Sequence, residues 1–218
     1  MVELIKNISR IEIRYYFLLV VLLYVLISVV INEYLITETQ YYRTFGEQLG
    51  TYQIDKMFYL REKWKWLGYL LVPVIISIKV FLAATVLKIG AFLGDIHIRF
   101  RQFLHTTILA EMVFVIAMII KTIWLFIYSS DADLKYIQYF YPLSAINFVN
   151  YKEIAPWSVY AIQVINLFEL LYWLVLAFIL KGFLKRSIWK SLGFVLSTYV
   201  LGLFFWVIFV VFISLNFS

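Results

Sequence analysis

The chain has no cysteine, only three prolines and eight glycines in 218 residues, and little charge. Without cysteine there is no disulfide framework, no thiolate metal site and no cysteine nucleophile. Charged residues make up 15% of the chain and hydrophobic residues 64%. A soluble domain has about 25% charged and 45–50% apolar residues. The composition therefore excludes an ordinary soluble domain.

The charge that is present is mostly basic. Lysine and arginine number 19 against 13 acidic residues, which gives a formal net charge of +6. In membrane proteins such an excess usually lies beside anionic head groups on the cytoplasmic side. No long basic run forms a patch the size of a nucleic-acid groove. We therefore expect the lipid bilayer as a partner and no nucleic acid.

Apolar residues fall into long runs. A bilayer core of about 30 Å needs roughly 20 apolar residues in a helix, because every backbone amide must be paired inside hydrocarbon. No internal repeat or low-complexity linker divides the chain, so we expect one polytopic membrane domain over residues 1–218. The sequence predicts an all-α integral membrane protein with short interfacial helices and five transmembrane helices, at about 15–36, 67–89, 106–128, 159–180 and 192–214.

Basic flanking residues predict the orientation. Ten lie on the side of the N-terminus and seven on the other, which places the N-terminus in the cytoplasm and the C-terminus outside. The first apolar run is longer than the 7–15 residues of a signal-peptide core and lacks a small-x-small cleavage site, so we expect it to be retained. The predicted location is a bacterial inner membrane. The first group is Lys6, Arg10, Arg14, Lys88, Arg99, Arg101, Lys181, Lys185, Arg186 and Lys190; the second is Arg43, Lys56, Arg61, Lys63, Lys65, Lys135 and Lys152.

Four tryptophans stand next to predicted span ends. They indicate an interfacial aromatic belt, although chance placement in so aromatic a chain is the alternative. Small-residue packing motifs are scarce apart from Gly90 and Gly94, so aromatic and branched side chains are expected to do most of the packing. The tryptophans are Trp64, Trp66, Trp157 and Trp189.

The segments between the spans carry further signals. Leu4, Ile8 and Ile11 repeat at helical spacing opposite cations, which predicts either a helix on the cytoplasmic leaflet or a plain extension of the first span. In the loop 37–66, glycines are followed by apolar residues at helical spacing, which predicts a turn, an interfacial helix and an external contact surface. The segment 143–148 is expected to dip into the interface.

Five basic residues on the predicted cytoplasmic side are candidates for contact with lipid head groups or a partner protein. They are Arg99, Arg101, Lys185, Arg186 and Lys190.

Four ionisable residues lie inside the predicted spans, where charge is costly unless it faces protein or water. Counted from the outer span ends at about 1.5 Å per residue, Lys121 lies about 10 Å deep, Glu169 about 15 Å, Lys79 about 18 Å and Glu111 about 25 Å. Glu169 is therefore predicted to pair with Lys79, Lys121 or both.

Polar neighbours support this intramembrane charge cluster. Asn166 and Gln163 are expected on the same helix as Glu169, and Pro73 is expected to free a carbonyl and bend the second span. The cluster is either a charged clamp that joins three spans or a proton or ion relay. The clamp is favoured, because a single opposed pair without a polar pathway often fixes helix packing.

Signals for catalysis are weak. His97 and His105 are eight residues apart with Asp95 as the one nearby acid, whereas a metal site needs at least three converging ligands. Asp131 and Asp133 are either a shared cation site or solubilising charge. No serine-hydrolase elbow, zinc-protease helix or phosphate loop is present. We predict no catalytic residue, no metal and no cofactor.

Several segments resemble a known family. Phe100-Arg-Gln-Phe-Leu-His105, Pro142-Leu-Ser-Ala-Ile-Asn147, Asn166-Leu-Phe-Glu-Leu-Leu-Tyr-Trp173 and Lys185-Arg-Ser-Ile-Trp-Lys190 are similar to bacterial members of the Yip family of five-span membrane proteins. The resemblance implies a non-catalytic helical bundle that acts through other membrane proteins; eukaryotic relatives are associated with Rab GTPases. The long aromatic loop and the short N-terminal segment depart from that family, and no functional residue is carried over.

Three functional hypotheses follow. The first is a non-enzymatic scaffold or accessory subunit of a membrane assembly, with other membrane proteins or further copies of the chain as partners. The second is a subunit of a transporter or of an ion or proton pathway that uses Lys79, Lys121 and Glu169, with Glu111. The third is a membrane enzyme with a His/Asp site at the cytoplasmic face.

Overall fold

The computed structural model describes residues 13–128, 133–150 and 153–217. These residues are almost entirely helical, which confirms the all-α prediction. The π-helical turn Ile31–Leu35 extends α1, a second one, Leu196–Val200, joins α9 to α10, and Ala145–Phe148 is a 3-10 turn. The helices are α1 Ile13–Val30, α2 Glu38–Phe45, α3 Thr51–Leu93, α4 Phe100–Ala110, α5 Met112–Tyr128, α6 Leu134–Tyr139, α7 Pro156–Val164, α8 Leu167–Leu184, α9 Ile188–Val195 and α10 Leu201–Phe217.

Five segments of the described chain are long and apolar enough to cross a membrane, as predicted. We number them spans 1 to 5. They are Ile13–Leu35, Thr51–Leu93, Phe100–Tyr128, Leu167–Leu184 and Ile188–Asn216.

The connections between the spans define two ends of the bundle. Face A carries the short loops 94–99 and 185–187, and face B carries the longer segments 36–50, 133–150 and 153–155. The five predicted contact cations Arg99, Arg101, Lys185, Arg186 and Lys190 are all exposed at face A. Their role in binding head groups or a partner stays a prediction.

Span 2 extends far beyond the predicted stretch. Helix α3 has 43 residues, which corresponds to about 65 Å at 1.5 Å per residue. The turn near Gly46 and Gly50 is confirmed, but the separate interfacial helix is wrong: residues 51–66 contain no proline or glycine, so nothing ends the helix before the membrane stretch.

The outer part of α3 is covered by α2, which folds back against it at face B. The Tyr42 hydroxyl donates to Asp55 Oδ1 at 2.5 Å. The rings of Tyr41 and Phe58 meet edge-on with centroids 5.5 Å apart. Helices α2 and α3 form a hairpin that extends outward from face B.

Helix α3 continues through Pro73 without interruption.

Two glycines lie where α3 meets the second π-helical turn and α10. A Cβ added at Gly90 would lie 1.9 Å from Thr198 Cγ2, and one added at Gly202 would lie 2.6 Å from Val86 Cγ1. Gly90, which belongs to the predicted small-residue pair, therefore lies at a close helix contact. Gly202 was not predicted, because its contact is with Val86 of a distant segment.

Some of the predicted features lie outside the described residues or next to them. The predicted leaflet helix around Leu4, Ile8 and Ile11 lies outside the described residues, as do Asp131 and Lys152. Asp133 is described, and its carboxylate accepts the Tyr136 N–H at 2.8 Å. Asp133 thus caps the start of α6.

Candidate functional site

One polar residue from each span lies at a common depth. Counted from the face A end of its own span at about 1.5 Å per residue, each lies about 17 to 22 Å along the helix. Interior charge at that depth is costly, so these residues are the first place to look for function. We call them the midlevel cluster: Tyr24, Lys79, Glu111, Glu169 and Tyr199.

Glu111 joins three spans. Its side chain is fully buried, and Oε1 accepts hydrogen bonds from Lys79 Nζ at 2.6 Å and from the Tyr24 hydroxyl at 2.9 Å. Lys79 Nζ also lies 3.7 Å from the centroid of the Phe114 ring. Because the cation touches both a carboxylate and an aromatic face, its charge is stabilised inside the bundle.

The second carboxylate oxygen of Glu111 is unsatisfied. Oε2 is buried and has no hydrogen-bond partner among the described residues. A buried polar atom without a partner costs about 1–3 kcal/mol. Glu111 also stands at the junction where α4 ends at Ala110 and α5 begins at Met112. This oxygen can therefore accept a further hydrogen bond.

Glu169 joins spans 4 and 5 through neutral donors. Its Oε1 accepts from Trp173 Nε1 at 3.0 Å and from the Tyr199 hydroxyl at 3.1 Å. Glu169 lies in the first turn of α8, where the helix dipole favours negative charge. Tyr199 belongs to the π-helical turn Leu196–Val200, a local geometry frequent at functional sites.

The predicted pairing of Glu169 with Lys79 or Lys121 is wrong. Among the described residues Glu169 has no ion pair within 4.0 Å; Lys79 pairs with Glu111 instead, and Lys121 Nζ lies 3.4 Å from the Gln138 carbonyl oxygen. The error came from counting depth at the outer ends. Span 2 runs far past its predicted outer end, whereas Lys79 and Glu111 are level when counted from the short loop 94–99.

Aromatic rings connect the two carboxylates. The centroids of Phe114 and Tyr172 are 4.8 Å apart, and those of Tyr172 and Tyr199 are 5.2 Å apart. Tyr172 is only 1% exposed. A continuous line of contacts therefore runs from Lys79 to Glu169, and we call these three rings the aromatic bridge.

The predicted fourth span is interrupted at residues 165–166, directly before Leu167. Helix α7 ends at Val164 and α8 begins at Leu167, with Asn166 extended between them. The break pairs with the loop before it: Ala145 N–H donates to the Ile165 carbonyl at 2.9 Å, and Leu167 N–H donates to the Leu143 carbonyl at 3.1 Å. The predicted continuous helix 159–180 is wrong, because this loop satisfies the backbone groups that the break frees.

The side chains of Asn166 and Gln163 make hydrogen bonds that stabilise this helix break, and not the predicted contact with a cation. Asn166 Oδ1 accepts the Glu169 N–H at 2.8 Å, and Asn166 Nδ2 donates to the Gln163 carbonyl at 2.9 Å. Gln163 Nε2 donates to the Tyr139 carbonyl at 2.8 Å. An Asn followed three residues later by Glu is a helix-start signal, so the sequence contained the evidence for a new helix at Leu167.

The loop at face B closes over the midlevel cluster. Tyr141 lies in this loop and packs against the main core. Burial raises the pKa of the Tyr141 hydroxyl above its ordinary value, and the carboxyl groups of Glu169 and Glu111 raise it further. Because the core against which Tyr141 packs includes Phe114, Tyr172 and Tyr199, the loop lies next to the midlevel cluster.

We expect Asn166→Ala to weaken the start of α8. Loss of an N-cap side chain costs about 1 kcal/mol, and this variant also removes the amide donors that tie the break together. The measurement is the free energy of unfolding in detergent. Asn216→Ala is the control, because the Asn216 amide is exposed and bonds only one turn back to Phe212. Equal stability of the two variants would contradict this role.

The histidines do not converge on a third ligand in the described structure. His97 Nδ1 and Asp95 Oδ1 are 4.0 Å apart, with side chains 90% and 97% exposed. His105 lies half-buried on α4. Among residues 13–128, 133–150 and 153–217, no group of three or more His, Asp or Glu side chains is placed to hold a metal ion.

Comparison with known proteins gives no match: no family model, no curated protein and no solved structure corresponds to this chain. The resemblance to the Yip family stays a prediction based on the segments quoted above.

Proposed function

We propose that this chain is a multi-pass integral membrane protein that works as a non-enzymatic scaffold or accessory subunit in a membrane assembly. The observation that carries the proposal is the position of Lys79. Its side chain is 39% exposed although its partner Glu111 is fully buried. Part of the Lys79 side chain therefore reaches the outer surface of the described bundle at mid-depth, while its ammonium group is paired inward with Glu111.

Hydrocarbon is a poor neighbour for that cation. A lysine at the bilayer centre costs about 2.5–3.5 kcal/mol on insertion scales. The surrounding outer face of α3 is otherwise apolar, with Ile75, Ile78 and Leu82 exposed. A helix of another subunit that offers a polar side chain or carbonyl would cover Lys79 and use this apolar face for packing.

The buried contacts agree with a structural role for the interior charges. Glu111 ties spans 1, 2 and 3 together, and Glu169 ties span 4 to span 5. Both carboxylates are engaged with side chains of the same chain, as a clamp requires. In this proposal the outer faces of the bundle bind the partner proteins, and the buried contacts of Glu111 and Glu169 stabilise the bundle.

A second candidate function is an ion or proton pathway. The unpartnered Oε2 of Glu111 and the broken helix beside Glu169 favour it, because discontinuous helices at mid-depth often form transport sites. On this hypothesis Glu111→Gln abolishes proton flux into proteoliposomes under an imposed gradient. On the scaffold hypothesis wild type and variant show the same background flux.

The absence of native cysteine allows a direct test of what covers Lys79. Leu82→Cys places a thiol one turn from Lys79, at a side chain that is 41% exposed. Leu26→Cys is the matched control: it is 51% exposed at a similar depth on span 1. Each thiol is labelled with a short photo-crosslinker in native membranes or with a hydrophilic thiol reagent in proteoliposomes.

The scaffold proposal predicts that the Leu82→Cys probe forms an adduct with one protein that also co-purifies at native expression level, whereas the Leu26→Cys probe labels lipid. Rapid reaction of the Leu82→Cys thiol with the hydrophilic reagent would instead support a water-filled pathway. Lipid adducts alone at both positions would contradict the scaffold proposal.

The enzyme hypothesis has the weakest geometric support. The Asp95 and His97 side chains are both almost fully exposed on one short loop. Nothing in the described structure adds a nucleophile or an oxyanion donor to this pair, so the hypothesis stays a sequence-based prediction.

A further inference from the structure

A cavity of about 590 Å³ opens near face B, and none of its lining residues belongs to the midlevel cluster. Ile120 and Trp124 of α5 form one wall, and Tyr136 and Tyr139 of α6 with the following Phe140 form the second. Residues of the loop 142–149 form the third wall. Its volume lies within the range of about 300–1,000 Å³ that is typical of ligand sites. The lining is mainly apolar and aromatic, which favours a hydrocarbon ligand.

One cation stands at the edge of this cavity. Lys121 follows the lining residue Ile120, and its Nζ lies 3.4 Å from the Gln138 carbonyl oxygen, between lining residues Tyr136 and Tyr139. In the described part of the chain, no carboxylate lies within 4.0 Å of this ammonium group. An ammonium group with one long hydrogen bond still has donors for an anion.

The cavity borders a surface suited to lipid. Ile123 and Ile127 on the same helix are 54% and 64% exposed, and Phe148 of the loop wall is 93% exposed. Trp124 Nε1 and the Tyr136 hydroxyl lie 3.4 Å apart, and such amphipathic side chains favour the membrane interface. Lys121 lies about 10 Å from the end of span 3 at 1.5 Å per residue, so its stem can extend toward the interface.

The loop wall is held in an uncommon conformation. Leu143 has φ of +53°, which side chains with a Cβ rarely adopt. The Leu143 carbonyl accepts the Leu167 N–H at the helix break, and this bond holds the residue in place. Because the wall is anchored to the break, the cavity is built into the fold.

We infer that this cavity binds an acyl chain of an anionic phospholipid, with the phosphate group at Lys121. The apolar lining selects the chain, and the unpaired ammonium group selects an anionic head group. The inference rests on the membrane location proposed above and is independent of the scaffold role.

The test is native mass spectrometry of the whole protein after extraction from vesicles of equal parts phosphatidylglycerol and phosphatidylcholine. Wild type is expected to retain phosphatidylglycerol preferentially. Lys121→Gln should lower that preference by about three- to fivefold, the scale of a partly exposed ion pair. Lys56→Gln, which removes an exposed cation from the outer part of α3, should leave the preference unchanged.

A second pair of variants tests whether the acyl chain binds in this cavity. Ile120→Trp and Val149→Trp fill the cavity from opposite walls and should each lose bound lipid of both classes. The Val149 side chain is 45% exposed on the loop, so this variant covers the case in which Ile120→Trp misfolds. Equal retention of the two lipids by wild type, or unchanged lipid binding in a folded Val149→Trp protein, would overturn the inference.

Discussion

Lys79→Met is expected to lower the free energy of unfolding in detergent by about 3 kcal/mol or more. Glu111 is fully buried, and its Oε2 already lacks a hydrogen-bond partner in the part of the chain that the structure describes. Removing the cation would leave an uncompensated carboxylate with only the Tyr24 hydroxyl, and breaking a buried pair from one side costs about 3–5 kcal/mol. Thermal unfolding or denaturant titration of the purified protein measures the loss.

Two further variants test whether the loss of stability comes from breaking the Lys79–Glu111 pair or from removing any lysine. Lys63→Met removes an exposed lysine from the same helix and should change stability by less than about 0.5 kcal/mol. The double variant Lys79→Met with Glu111→Leu removes both charges and should regain most of the stability. If Lys79→Met were as stable as Lys63→Met, the interior pair would not hold the bundle together.

The second large effect is expected at the glycines between α3 and the last span. Gly90→Ala would place Cβ 1.9 Å from Thr198 Cγ2 and 2.7 Å from Thr198 Cβ, so the two helices must move apart. Overpacking of this kind costs about 1–3 kcal/mol. We expect a loss near the upper end of that range, measured as the free energy of unfolding in detergent.

Glycines in open positions provide the matched controls. A Cβ at Gly68 or Gly193 meets nothing within 4 Å, so alanine there should be neutral or should stabilise by up to about 1 kcal/mol through helix propensity. Combining Gly90→Ala with Thr198→Gly should restore part of the lost stability. Equal stability of Gly90→Ala and Gly193→Ala would show that the crossing is not tightly packed.

The number of spans was predictable because run length and low charge are local properties of the sequence. The break in the predicted fourth span, 159–180, also had a local sequence signal, Asn166 three residues before Glu169, but the apolar residues on both sides of it masked that signal. Hydrophobicity alone does not distinguish one long helix from two helices joined at a cap. The partner loop 143–145, which makes the break tolerable, is distant in sequence.

The ion pairing was not predictable from the outer ends of the spans. Long connections such as 36–50 leave the height of a helix undefined, whereas the short loop 94–99 holds its two helices in register. Counting from that loop brings Lys79 level with Glu111. Tyr24 and Tyr199 were missed because a tyrosine in an aromatic-rich span has no sequence feature that marks it as a carboxylate partner.

Labelling of single cysteines with a membrane-impermeant maleimide tests the five-span arrangement most directly, since the chain has no cysteine of its own. Thiols at the exposed positions His97 and Lys190 of face A should react from one side of the membrane. Thiols at Tyr52 and Asn147 of face B, and at Asn216 near the end of span 5, should react only from the other. Reaction of the His97→Cys and Tyr52→Cys thiols from the same side of a sealed membrane would contradict the account.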